Sequence, residues 1–119
     1  MTRQAEASDF VVEVGGIGSF RFGRRKMRDQ LKIFTEYSRI TEGIADTAPW
    51  LTRIADAIAA LKVLTVESPS GWDIDAMDPL DDESFGNIVK VHDALIDKER
   101  SFRPNKGENG KAAGEAGGQ

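Results

Sequence analysis

The chain contains no cysteine. That absence excludes disulfide staples, thiol catalysis and cysteine-ligated zinc. There is one histidine, His92, so a metal site would have to be built from carboxylates. Basic residues are in the minority. Sixteen Lys and Arg stand against 20 Asp and Glu, a net charge of -4, which argues against a nucleic-acid partner with its need for a basic face. No apolar run reaches the roughly 20 residues of a membrane-spanning helix. The first residues, MTRQAEASD, lack the apolar stretch of a secretory signal. A soluble cytoplasmic protein without a membrane partner is the expectation.

The glycines of Gly15–Gly16–Ile17–Gly18 do not make a phosphate loop. A dinucleotide fingerprint opening at Gly16 would need a third glycine where Arg21 stands, and the lysine of a P-loop is missing. No nucleotide cofactor is expected. The aspartates of WDIDAMDPLDDE (72–83) fail as a calcium loop. Counting from Asp73, Met77, Asp78 and Ser84 occupy positions that require an acidic or Asn residue, Gly and Glu.

What is present is helix. PWLTRIADAIAALKVLTV, Pro49–Val66, places Leu51, Ile54, Ile58 and Leu61 on one face by three- and four-residue spacing. Alanines leave few polar positions elsewhere, the pattern of a helix buried between other elements. Pro49 suits its first turn, with Asp46 and Thr47 as N-caps. Upstream, DFVVEV and SFRF flank the glycine turn. Phe20 and Phe22 alternate with Arg21, so a β-hairpin with one apolar face is predicted. A helix follows, with Ile33, Tyr37, Ile40 and Ile44 in register, Leu31 and Phe34 beside them, and Gly43 as its stop. A last helix carries Phe85, Ile88, His92, Leu95 and Phe102 on one stripe. Asp78 is expected to cap it, with Pro79 in its first turn. Trp72, Ile74 and Leu80 are expected to pin the acidic loop to the core.

The predicted fold is therefore α+β and mostly α: an N-terminal hairpin followed by helices over about 24–42, 48–66 and 80–102. Residues 1–7 are expected to be flexible, 8–103 to form one domain, and the Gly/Ala/Lys-rich 104–119 to be a disordered tail. About 95 ordered residues are marginal for a domain standing alone, so a partner or a homo-oligomer would stabilise it.

Catalysis is not expected. His92 lies on an apolar stripe, where a satisfied core histidine is the common case, and Ser84, Ser101 and Asp93 carry no nucleophile signature. Arg24, Arg25, Lys26 and Arg28 crowd the start of the first helix, where the macrodipole disfavours cations. Either they dock an acidic partner or acidic segment, or they are a solvated junction; the second is favoured.

Several stretches share one order: FRFGRRKMRDQ, EYSRITEG, PWL, ALKVLTVESPSGWDIDAMDPLDD and HDALIDKERSFR. This order resembles the tail assembly chaperones of long-tailed bacteriophages and prophages, over roughly Phe20 to Arg103. The resemblance implies a small helical protein, without enzymatic activity, cofactor or metal, that works in the host cytoplasm and is absent from the virion. It implies two partners: the tape measure protein, kept soluble until the tube assembles, and the tail tube protein, recruited by a longer form made by a −1 frameshift. This chain would be the short form.

Partner-binding candidates are Phe20, Phe22, Arg24, Arg25, Tyr37, Trp50, Phe85, Ile88, His92, Leu95 and Phe102. Two other readings stay open: a small cytoplasmic adaptor or regulatory subunit of an unrelated complex, and a hydrolase or metal enzyme using Asp73, Asp75, Asp78 and His92.

Overall fold

The computed structural model describes residues 3–44 and 46–103. The tail expected at 104–119 lies outside them. Two strands, β1 (Phe10–Val14) and β2 (Gly18–Phe22), form the expected antiparallel hairpin. Phe10 faces Phe22 and Val12 faces Phe20. Gly16, at φ 81°, supplies the left-handed turn between them. With period-two alternation, Val12, Val14, Phe20 and Phe22 fall on the same face and are buried.

Three helices follow: α1 (Met27–Ile40), α2 (Pro49–Leu64) and α3 (Asp82–Ser101). Each is shorter than the sequence suggests, and each boundary has a cause. The carboxylate of Asp29 accepts the Lys26 N–H at 2.9 Å, so α1 begins at Met27 instead of at Arg24. Its end is closed by Gly43, at φ 75°, whose N–H donates to the Ser38 carbonyl at 2.9 Å. Pro49 does sit at the start of α2, but the capping position is Ala48, and neither Asp46 nor Thr47 caps the helix.

At Leu64 the chain passes from α2 straight into a third strand, β3 (Thr65–Glu67). Thr65 pairs with Phe22 and Glu67 with Arg21, giving a sheet in the order β1-β2-β3. The helix expected to continue to Val66 stops here because Thr65 and Val66 are β-branched and β2 offers an open edge.

The core lies between the sheet and the helices, with α2 at its centre. Ile54, Ala55, Ala57, Ala59, Ala60, Leu61 and Leu64 of α2 are buried. These point in nearly all directions around the axis, as expected for a helix enclosed by neighbours. The alanines let α1 approach one side and α3 another, while α3 also packs on β1. Ile33, Ile88, Val91 and Leu95 complete the core from the flanking helices.

Candidate functional site: the outer face of the first helix

Helix α1 carries two apolar stripes. The inner one, Ile33, Tyr37 and Ile40, packs against the core. The outer one, Met27, Leu31 and Phe34, follows the same four- and three-residue spacing and faces away from it. Met27 is 75% exposed, Leu31 59% and Phe34 60%. Grooves run along both sides of this ridge. One, of about 650 Å³, lies between α1 and the first half of α2, lined by Phe34, Tyr37, Pro49 and Thr52. The other, of about 790 Å³, runs between α1, the end of α2 and the N-terminal arm, lined by Leu31, Val63, Arg28 and Lys32. Trp50 is half exposed at the start of α2.

Charge around the second groove is uneven. Arg3 is paired with Asp29 at 2.5 Å. Lys62 is held by Glu36 at 3.1 Å and Asp75 at 2.9 Å. Hydrogen bonding to Asp75, against the effect of burial, keeps the Lys62 ammonium above its ordinary pKa. Arg28 and Lys32 make no ion pair among the described residues. One turn apart on α1, they lie along one side of Leu31.

The N-terminal arm bounds this groove. Within this arm, Arg3 and Glu6 contact the body of the fold. Arg3 reaches Asp29, whose carboxylate is buried, and Lys26 pairs with Glu6 at 3.2 Å. Burial alone would raise the Asp29 carboxyl. The Arg3 guanidinium and the Lys26 N–H outweigh it and hold the pKa below its ordinary value.

Most of the sequence-derived candidates sit elsewhere. Phe20, Phe22, Ile88 and Leu95 are fully buried. They are core residues, beyond the reach of a partner of the folded chain, because the sheet face and the inner face of α3 close on α2. Phe85 is partly buried against the same core, as is Tyr37. His92 is buried too, and its Nδ1 accepts a hydrogen bond from Arg53 Nη1 at 2.8 Å. Burial holds the imidazole below its ordinary pKa, with the Arg53 and Arg25 charges acting in the same direction.

Arg24, Arg25 and Phe102 are brought together where α1 begins and α3 ends. Arg25 grips Glu99 through two hydrogen bonds of 3.1 Å each. The Arg24 guanidinium lies 4.2 Å from the centre of the Phe102 ring, and that ring also packs edge-on against Phe10 at 4.9 Å. The basic cluster is thus spent largely within the chain, and its partners come from α3 and the N-terminal arm, not from the acidic loop.

In that loop, Trp72 and Ile74 pack on the core as expected, Trp72 edge-on to Phe20 at 5.1 Å. Leu80 does not; it is 76% exposed. Asp78 accepts the Leu80 N–H in a turn at 3.0 Å, and the cap of α3 is Asp81, which accepts the Ser84 N–H at 3.0 Å. Pro79 precedes the helix and is not in its first turn. The residues of the metal-enzyme reading are not brought together. Asp73 and Asp78 serve local turns, Asp75 holds Lys62, and His92 faces Arg53.

Sequence reasoning noted Leu31 and Phe34 only as neighbours of the inner stripe and passed over Met27. The available signal was that one 14-residue helix carries two apolar stripes, of which one neighbouring helix covers only one.

No protein-family model matches this chain, and comparison with curated proteins and with solved structures finds no match. No helix among the described residues is long and apolar enough to cross a membrane.

Proposed function

We propose that this chain is a tail assembly chaperone of a long-tailed bacteriophage or prophage. It binds the tape measure protein in the host cytoplasm, keeps it soluble, and helps bring tail tube subunits to it. The reading rests on the sequence resemblance. The observation that carries it structurally is the exposed Met27–Leu31–Phe34 stripe, three large apolar side chains on one face of a helix. A surface of this kind is suited to an amphipathic helix laid along it, and a tape measure protein before tube assembly is a long helical partner with apolar stripes to cover.

The proposed action is binding, not catalysis. The one histidine supports this, since its Nδ1 is taken up by Arg53 and the ring is shielded from solvent. Co-expression with the tape measure protein encoded in the same genome tests the proposal. Increased solubility of that protein and recovery of both chains in one complex are expected. If the tape measure protein remains insoluble and the two do not co-purify, the chaperone reading is wrong, and an adaptor in another complex takes its place.

A further inference from the structure

The outer face of α1 has a polarity that its apolar stripe alone does not explain. On one side of Leu31, Arg28 and Lys32 project with no ion pair among the described residues, although the chain as a whole carries a charge of -4. Nearby cations are neutralised: Arg3 by Asp29, Lys62 by Glu36 and Asp75, Arg39 by Glu36. The other large apolar residues exposed among the described ones are Val11, Ile44, Trp50 and Leu80. Val11 shares the outer face of the hairpin with the exposed Glu13, and Leu80 sits among the aspartates of the acidic loop. Among the described residues, α1 combines three exposed large apolar side chains at helical spacing with two cations outside any ion pair.

We infer that this face docks an amphipathic helix whose apolar stripe is edged by carboxylates. Its apolar side chains lie over Met27, Leu31 and Phe34 and reach into the grooves on either side. Its Asp or Glu side chains lie over Arg28 and Lys32. A helix edged by lysines meets like charge at that rim and is rejected. Within the chaperone reading, on which the inference rests, this selects acidic-edged helical segments of the partner over basic ones.

The test uses the full chain and two synthetic amphipathic peptides of about 18 residues, long enough to form a helix on binding. They share one leucine stripe and differ only in having glutamate or lysine along its edge. Binding is followed by fluorescence anisotropy and by amide chemical shifts. The glutamate peptide should bind at least roughly tenfold more tightly than the lysine peptide, with the largest shifts between Met27 and Thr35. The double substitution Leu31→Ser and Phe34→Ser should abolish most of that affinity and lower the thermal midpoint by no more than several degrees, the size of the lost helix propensity. Arg28→Glu with Lys32→Glu should invert the preference.

Equal binding of the two peptides, shifts centred on another element, or no binding at all would overturn the inference. So would light scattering that shows wild-type oligomers dissolved by Leu31→Ser and Phe34→Ser, since the occupant would then be a second copy of the chain. Co-purification with the tape measure protein separates the two levels. If wild type fails to co-purify, the chaperone reading fails. If wild type and the Leu31→Ser, Phe34→Ser variant co-purify equally well, the chaperone reading stands and the α1 docking face is wrong.

Discussion

Arg53 on α2 donates a hydrogen bond from Nη1 to Nδ1 of His92 on α3, at 2.8 Å across the interface of the two helices. An arginine cannot accept a proton, so this contact requires the imidazole Nδ1 to be unprotonated. Protonation would place a second positive charge against the guanidinium in a buried setting, with Asp56 and Asp93 as the opposing carboxylates. The folded pKa is accordingly lowered, first by burial.

The direction of the pH dependence follows. Below the ordinary histidine value of about 6.5 the unfolded chain takes up a proton that the folded chain resists, so stability falls as pH drops through that range. Between pH 7.5 and 5.5 the loss has a ceiling of about 1.4 kcal/mol, reached only where the folded imidazole stays neutral throughout. Urea denaturation at both values should show it in wild type and show a much flatter response in His92→Gln. An equal response in both would mean that another group titrates there.

Arg3 and Asp29 form the most buried ion pair of the N-terminal arm. Arg3→Ala should destabilise the fold by about 2–4 kcal/mol, because it leaves a buried carboxylate without its cation. Asp29→Asn in the same chain should recover part of the loss, since the neutral amide oxygen can still accept the Lys26 N–H. The pair's contribution is present at neutral pH and is lost as pH falls through the lowered Asp29 pKa, because the folded carboxylate is the charged form the pair favours. A double-mutant cycle by chemical denaturation at pH 7 measures the coupling. Additive single effects would show that the pair contributes nothing of its own.

The elements legible in the sequence were those whose pattern has a single interpretation. Phe20–Arg21–Phe22 alternates as only a half-buried strand does, and Leu51, Ile54, Ile58 and Leu61 repeat as only a helix does. What could not be read depended on distant contacts. Arg25 and Glu99 are 74 positions apart, so no local signal assigns the basic cluster to the end of α3. β3 is three residues long and follows a helix with no turn between them, so only the β-branched Thr65 and Val66 hinted at it. On α1, both Ile33–Tyr37–Ile40 and Met27–Leu31–Phe34 have helical spacing. Packing on α2 decides which becomes core, and the stripe left outside becomes the candidate site.

That division can be measured. Leu61→Ala on α2 opens a cavity in the packed interior and should cost about 2–5 kcal/mol. Leu31→Ala removes a similar side chain from an exposed position and should change stability by no more than about 0.5 kcal/mol. Thermal or chemical denaturation of the two variants compares them directly. A large loss for Leu31→Ala would mean that the outer stripe is buried in solution, as in a stable oligomer, and is not a free face.

The start of α3 offers a comparison of neighbouring aspartates. Asp81 accepts the N–H of Ser84, which lacks a carbonyl partner within the helix, and its charge lies at the positive end of the dipole. Asp78 only closes a turn on the Leu80 N–H, in an exposed loop where water can replace it. Asp81→Ala should therefore cost about 1 kcal/mol, in the range of lost helix caps, and Asp78→Ala a few tenths at most. Asp81→Asn should retain most of the stability, because the amide oxygen still accepts the hydrogen bond. Denaturation midpoints of the three variants decide the matter. If Asp78→Ala proves the more damaging, the helix begins a turn earlier, with Pro79 inside it as its sequence position suggests.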